Sequence, residues 1–230
     1  MKKGAFKFLF LFLLTFLTLI PSSVAKAVPI NPSFEADVFG EGGYTPYDDM
    51  SITGWDIQAG TRAGVYNPQA VYPLQPTDGS QVVFINTSGG FIGQWTPDIF
   101  QAGTTYTINV DVGAMPLSNA SSNPGYRVRL VGSPEPGVVS YAIIDEISGL
   151  APQGSWNFVT LDYVVDPAYA GWTIGIQLFN DSAAGSNWQV WFDDVSVVAS
   201  AAAVPEPATL LLLGFGLVGL SAFGRKRLIG

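Results

Sequence analysis

Cysteine and histidine are both absent from the 230 residues. Without cysteine the chain has no disulfide, no thiol nucleophile and no thiolate site for zinc or an iron–sulfur cluster. Without histidine it lacks the commonest general base, the usual partner of a serine nucleophile and the commonest metal-binding side chain. Carboxylates and tyrosine remain for proton transfer, which leaves a carboxylate-pair glycosidase or a calcium-assisted lyase as the open enzyme chemistries. Basic residues are scarce too, and seven of the ten lie at the ends: Lys2, Lys3, Lys7, Lys26, Arg225, Lys226 and Arg227. Between Val28 and Val204, 17 acidic residues face only Arg62, Arg127 and Arg129, a difference of −14. Such a domain repels phosphate backbones, so no nucleic-acid partner is expected. It suits neutral sugars, cations or basic partners.

The first end has Lys2, Lys3 and Lys7, an apolar run from Phe8 to Ile20, then Pro21, two serines and Ala25-Lys26-Ala27. This is the order of a secretory signal, with cleavage expected after Ala27 and passage through the Sec export machinery. The alternative, an uncleaved anchor, needs a longer run than this one. The other end reads Val204-Pro205-Glu206-Pro207, an apolar stretch over 208–223, and Arg225-Lys226-Arg227. A transmembrane helix over 208–223, with its basic stop on the cytoplasmic side, puts the middle of the chain across the membrane. Gly214, Gly216 and Gly219 leave one helix face small enough for close approach of another helix.

Pro-Glu-Pro, a glycine-interrupted apolar helix and a basic cluster, in that order, closely resemble the PEP-CTERM sorting signal. The resemblance implies recognition by an exosortase and cleavage near Pro205-Glu206-Pro207. It also implies delivery to the envelope or exterior of a Gram-negative bacterium that makes exopolysaccharide, often into a biofilm matrix.

Between the ends, apolar residues repeat with period two. Tyr106, Ile108, Val110 and Val112 alternate with polar residues, as do Tyr126, Val128 and Leu130, and again Trp172, Ile174, Ile176 and Leu178. Half-buried strands have this pattern. Further strands are expected at 30–34, 52–57, 81–86, 91–95, 138–144, 156–165 and 189–198, separated by turns such as Pro76-Thr77-Asp78-Gly79 and Asn123-Pro124-Gly125. About ten short strands without a long amphipathic helix predict an all-β fold, an antiparallel β-sandwich or jelly roll. The expected organisation is a signal peptide at 1–27, the sandwich at 28–199, a linker at 200–203 and the sorting signal at 204–230.

Asn31-Pro32-Ser33-Phe34-Glu35 near the start, Gly54-Trp55, Asp78-Gly79-Ser80-Gln81, Ile92-Gly93-Gln94 and Trp191-Phe192-Asp193-Asp194 near the end resemble galactose-binding-like jelly rolls, which include many carbohydrate-binding modules. In those modules the opening and closing strands hold a structural calcium. Here that role falls to Glu35 and to Asp193 or Asp194, only one of which can point at the ion; the alternative is that these carboxylates cap turns or face solvent. Sugar binding in such folds uses aromatic rings, for which Tyr44, Tyr47, Trp55, Tyr66, Tyr72 and Trp95 are the candidates. Aromatic rings are also standard core material, and Trp55, which follows a glycine in an expected strand, favours burial.

The acid pairs Asp48-Asp49, Asp145-Glu146 and Asp193-Asp194 do not by themselves give the 5–9.5 Å separation of glycosidase carboxylates. No catalytic residue is therefore assigned, and the domain is expected to be non-catalytic, binding carbohydrate or exopolysaccharide. A structural or adhesive matrix protein without a sugar site and an extracellular carbohydrate-active enzyme are the alternatives.

Overall fold

The computed structural model describes residues 29–46, 50–115, 123–135, 141–183, 189–200 and Gly214. The expected signal peptide, Tyr47, and the sorting residues Val204, Pro205, Glu206, Pro207, Arg225, Lys226 and Arg227 lie outside these, as does all but Gly214 of the expected membrane helix. Among the described residues no helix is long and apolar enough to cross a membrane.

Ten strands form the domain: β1 (Asp56–Ile57), β2 (Ala63–Tyr66), β3 (Val82–Ile85), β4 (Phe91–Ile99), β5 (Thr105–Ala114), β6 (Gly125–Ser133), β7 (Ala142–Leu150), β8 (Trp156–Val164), β9 (Thr173–Asn180) and β10 (Val190–Ser200). They pair antiparallel in two five-stranded sheets, ordered β1-β4-β9-β6-β7 and β2-β3-β10-β5-β8. Most connections pass from one sheet to the other, the winding of a jelly roll.

Alternation dictates the core. Ile108, Val110 and Val112 of β5 and Val195 and Val197 of β10 point inward, against Ile174, Ile176 and Leu178 of β9 and Val128 and Leu130 of β6. Each fully buried side chain of this size contributes about 1.5–3 kcal/mol. Without disulfides, this interdigitation and the ladder hydrogen bonds carry the fold.

Two expectations change. The 30–34 segment is a turn and not a strand, because Asn31 (φ 53°) and Phe34 (φ 60°) take left-handed conformations and Phe34 N–H donates back to the Asn31 carbonyl at 3.3 Å. That corner drives Phe34 into the core against Trp55, with ring centroids 5.4 Å apart. Trp55 itself is 5% exposed, and its indole N–H donates to the Asn31 carbonyl at 3.2 Å. It is core material and is unavailable to a ligand. Trp55→Ala should cost about 3–5 kcal/mol, measured by denaturant unfolding, with no loss of ligand affinity in the variant that stays folded.

A bulge also interrupts β10, where the register with β5 shifts between Asp193 and Ser196. Asp194 absorbs it at φ 45°. Trp191 and Asp193 then face outward, while Phe192 and Val195 both face the core.

Candidate functional site

The outer face of the β1-β4-β9-β6-β7 sheet is organised in rows of cross-strand partners. One row runs Asp56, Gly93, Gln177, Arg129, Glu146 across all five strands. Its neighbour runs Trp95, Gly175, Val131, Ile143, and the row on its other side runs Phe91, Phe179, Arg127. Gly93 leaves a gap in the middle row between an acid and an amide. Two strand spacings separate Asp56 from Gln177, about 10 Å, enough for a flat bicyclic ring.

Around this gap lies a cavity of about 390 Å³, walled by Ile57, Phe91, Trp95, Val131 and Tyr141. Gly175 sets the position of the largest wall: a Cβ there would stand 2.8 Å from the Trp95 ring and 2.7 Å from Val131. The indole therefore rests on bare backbone, with the Tyr141 ring edge-on at 6.4 Å.

The polar groups of this cavity are few and unequal. Asp56 is an exposed carboxylate on the edge strand, and Gln177 is only 5% exposed. Among the described residues the Gln177 Oε1 is buried without a hydrogen-bond partner, an arrangement that costs about 1–3 kcal/mol unless a ligand supplies a donor. Beyond it the face is closed by cations already engaged. Arg129 lies over the Phe179 ring at 4.5 Å and donates to Glu146 at 2.7 Å. Arg127 bonds Asp181 at 2.6 Å, and this pairing holds its pKa above the ordinary value.

Of the expected ligand rings that are described, Trp95 alone lines this cavity. Tyr44, Tyr66 and Tyr72 converge instead at a second cavity, of about 320 Å³, on the outer face of the other sheet. Sequence reasoning did not find Asp56, Gln177 or Tyr141. The available signal was Gly93 and Gly175, glycines at outward positions of strands, which mark close approach of another group.

The expected metal residues meet at a third place, the 77–81 loop. Glu35 Oε1 accepts from the amides of Ser80 (2.9 Å) and Gln81 (2.7 Å). Asp193 Oδ2 accepts from Thr77 N–H (2.7 Å), Thr77 Oγ1 (2.9 Å) and Asp78 N–H (3.1 Å), and its Oδ1 from Asp194 N–H (2.8 Å). Asp194 is exposed. Asp193 is completely buried. Burial pushes its pKa up to about 7, against the opposing effect of these hydrogen bonds. Among the described residues no group of three or more acidic side chains could hold a metal ion.

Of the other acid pairs only Asp145-Glu146 is described, and it is already engaged. Glu146 is engaged by Arg127 and Arg129, and Asp145 accepts from the Glu146 amide. The Asp48-Asp49 pair lies outside the described residues.

Two family models match the chain. Residues 203–227 match the PEP-CTERM protein-sorting motif, and residues 26–198 match the HpiC1-like family, described as HpiC1 cyclase. The C-terminal segment is thus a PEP-CTERM signal, which implies exosortase processing, export and surface sorting. No curated protein matches. Among solved structures, a cyclase from Fischerella sp. TAU in complex with 4-(1H-indol-3-yl)butan-2-one has a TM-score of 0.64 at 20% identity, covering 78% of this chain and 100% of that one. The Stig cyclase Fisc from the same organism has a TM-score of 0.63 at 22% identity, with 78% and 100% covered. A tandem CBM22 domain of Paenibacillus barcinonensis Xyn10C has a TM-score of 0.51 at 13% identity, covering 81% of this chain and 48% of that one. The jelly roll expected from the sequence is therefore shared with carbohydrate-binding modules. The expectation of a non-catalytic domain is overturned, since the family model that spans most of the chain is that of a cyclase. With 173 of its 230 residues inside that match, the chain belongs to the HpiC1-like cyclase family.

Proposed function

We propose that the exported domain is a cyclase that closes a ring within one uncharged aromatic substrate, held in the cavity over Gly93. The single observation that carries this is the pairing, across a glycine gap, of a carboxylate with a buried acceptor lacking any partner, inside apolar and aromatic walls. A flat heteroaromatic ring laid on Gly93 stands beside the Gln177 side chain, and a turn of its amide brings the shielded Oε1 to a ring N–H. That bond fixes the ring in one orientation and satisfies the orphaned atom. Folding the rest of the substrate back under Trp95 and Tyr141 brings its reacting ends together, and such positioning is worth up to about 7–11 kcal/mol of barrier in well-aligned cases. Positive charge that develops during ring closure meets the faces of Trp95, Tyr141 and Phe91. A proton from solvent, taken up by the unsaturated side chain, starts the closure, and Asp56 takes the ring proton shed at its end, as its general base, so one proton enters, one leaves and the mass is unchanged. The indole ketone bound by the Fischerella cyclase fits this size and chemistry.

The test is isothermal titration with 4-(1H-indol-3-yl)butan-2-one, followed by incubation with indoles that carry an unsaturated side chain. The expected product has the mass of the substrate and one more ring. Asp56→Asn should lower turnover by about 10²–10⁴ with affinity unchanged, while Trp95→Ala should weaken binding itself. Full turnover by Asp56→Asn would remove the base from that role.

A structural calcium at the 77–81 loop is part of the proposal. Asp193 is a buried carboxylate to which no described basic side chain is paired, and such a charge is stabilised by a proton or a metal. Glu35 and Asp193 each keep an oxygen with a single hydrogen bond, so the two can seed a site that backbone carbonyls and water complete. The ion would add stability and no chemistry. Calcium should raise the melting temperature of the wild type, and much less that of Glu35→Gln; an equal rise in both excludes Glu35 as a ligand.

A further inference from the structure

The second cavity lies on the opposite sheet and has a different character. Its floor is Phe84, which pairs with Trp191 across β3 and β10. Its walls are three phenol rings. Tyr66 stands edge-on to Trp191 at 5.6 Å and to Tyr72 at 6.4 Å, and Tyr44 is bridged to Tyr66 through the backbone. Tyr44 is 47% exposed and forms the outer lip. Burial, and then the neighbouring Tyr72, raise the Tyr66 pKa above its ordinary value.

Two amides complete the lining. Gln189 has its Oε1 committed to the Trp191 indole N–H, which sets the direction of its amide. Gln69 lies across Gly42, where a Cβ would stand 3.1 Å from its Nε2. Gly42 has φ 79°, so this close approach is built into the backbone and cannot be replaced by an ordinary residue without strain.

Among the described residues no charged side chain lines the cavity. An anionic ligand finds no arginine or lysine among them, and the domain's excess of acid repels polyanions. A cationic ligand finds no carboxylate among them. A purely apolar ligand would leave the phenols and amides unpaired. The chemistry that matches all of these groups is a ring with one apolar face and a rim of neutral hydroxyls.

We propose that this cavity binds a neutral pyranose residue of a polysaccharide, stacked on Tyr44 and Tyr72 with its hydroxyls on Gln69, Gln189 and the Tyr66 phenol. The protein then has two sites on opposite faces, one that anchors it to extracellular glycan and one that carries out the cyclisation. The anchoring site does not depend on the cyclase assignment.

The test is saturation-transfer NMR and titration of the mature exported protein with cellohexaose, xylohexaose and mannohexaose, with alginate as the anionic control. Saturable binding to at least one neutral hexasaccharide and none to alginate is expected. Tyr44→Ala and Gln69→Ala, both at solvent-exposed positions, should each weaken it by about tenfold, the equivalent of 1.4 kcal/mol. Trp95→Ala should leave it unchanged while losing the indole ligand. Absence of binding to all three sugars overturns the proposal. So does binding that survives both Tyr44→Ala and Gln69→Ala, or that is lost in Trp95→Ala. Failure of the indole titration with sugar binding intact would count against the cyclase site alone.

Discussion

In the presence of a chelator, the protein should become less stable as the pH rises from about 4 to 7, and the dependence should vanish in Asp193→Asn. The cause is the carboxyl of Asp193, whose pKa rises from its ordinary 3.8 to about 7 because folding removes it from water. Across that window the folded chain binds the proton and the unfolded chain does not, so unfolding is increasingly favoured as the pH rises. Below the unfolded value the stabilisation is complete, and above the folded value it is gone. Integrated over the window the effect is roughly 4 kcal/mol.

The Asp193→Asn variant keeps an acceptor for Thr77 and Asp78 while removing the titration, so the difference between its melting temperature and that of the wild type isolates this group from every other acid. Asp193→Ala removes the acceptor as well, leaving the amides of Thr77, Asp78 and Asp194 without it. It should cost about 3 kcal/mol at pH 5 and progressively less towards pH 8. A wild-type melting temperature that holds level or rises between pH 4.5 and 7.5, relative to Asp193→Asn, would show that the carboxylate is not desolvated in solution.

The same residue shows how far the sequence could be read. Asp193 and Asp194 stand as a pair after an aromatic dipeptide, and because adjacent strand residues point to opposite faces only one of the two is expected to be a calcium ligand. Which of them is buried depends on the β-bulge, which Asp194 absorbs in a left-handed conformation. No residue type announces that bulge. Most long strands were legible because alternation over five or more residues is a strong signal; β5, β6, β8 and β9 lie where they are expected, whereas β7 runs over Ala142–Leu150 and not over the expected 138–144. β2 was not, since Ala63-Gly64-Val65-Tyr66 is short and has no polar residue to alternate with.

The ligand rings divide for a related reason. An aromatic residue is apolar whichever way it faces, so its type could not separate Trp55 in the core from Trp95 over the sheet. Parity within β4 does so, because Ile92 and Gln94 are buried while Gly93 and Trp95 share the outer face. Catalysis was missed because its candidates were sought as neighbouring acids. The proposed site is instead assembled across strands, from Asp56 and Gln177, which are far apart in the chain and are brought to one row only through register.

Gly93→Leu should abolish binding of the indole ligand while leaving the fold intact. A Cβ at this position would meet the Ile176 carbonyl at 3.3 Å and Gln177 Cγ at 3.4 Å, contacts that a shift of a few tenths of an ångström relieves. The rest of a leucine side chain has only the cavity to occupy, and it would fill the gap between Asp56 and Gln177 proposed for the substrate ring. Affinity should fall by about 100-fold or more, some 2.7 kcal/mol, with a melting temperature near that of the wild type.

Gly93→Ala, which adds a single methyl, should retain most of the binding. Gly175→Ala should behave in the opposite way. Its methyl would stand within 2.8 Å of both Val131 and the Trp95 ring, and relieving that contact should cost about 1–3 kcal/mol of stability by lifting the wall of the site. The two glycines lie on neighbouring strands of one sheet and differ in what stands above them. Beside Gly93 there is space, and above Gly175 there is packed side chain. If Gly93→Leu binds the indole as tightly as the wild type, the substrate does not lie on this floor, and neither Gln177 nor Asp56 can have the role proposed for it.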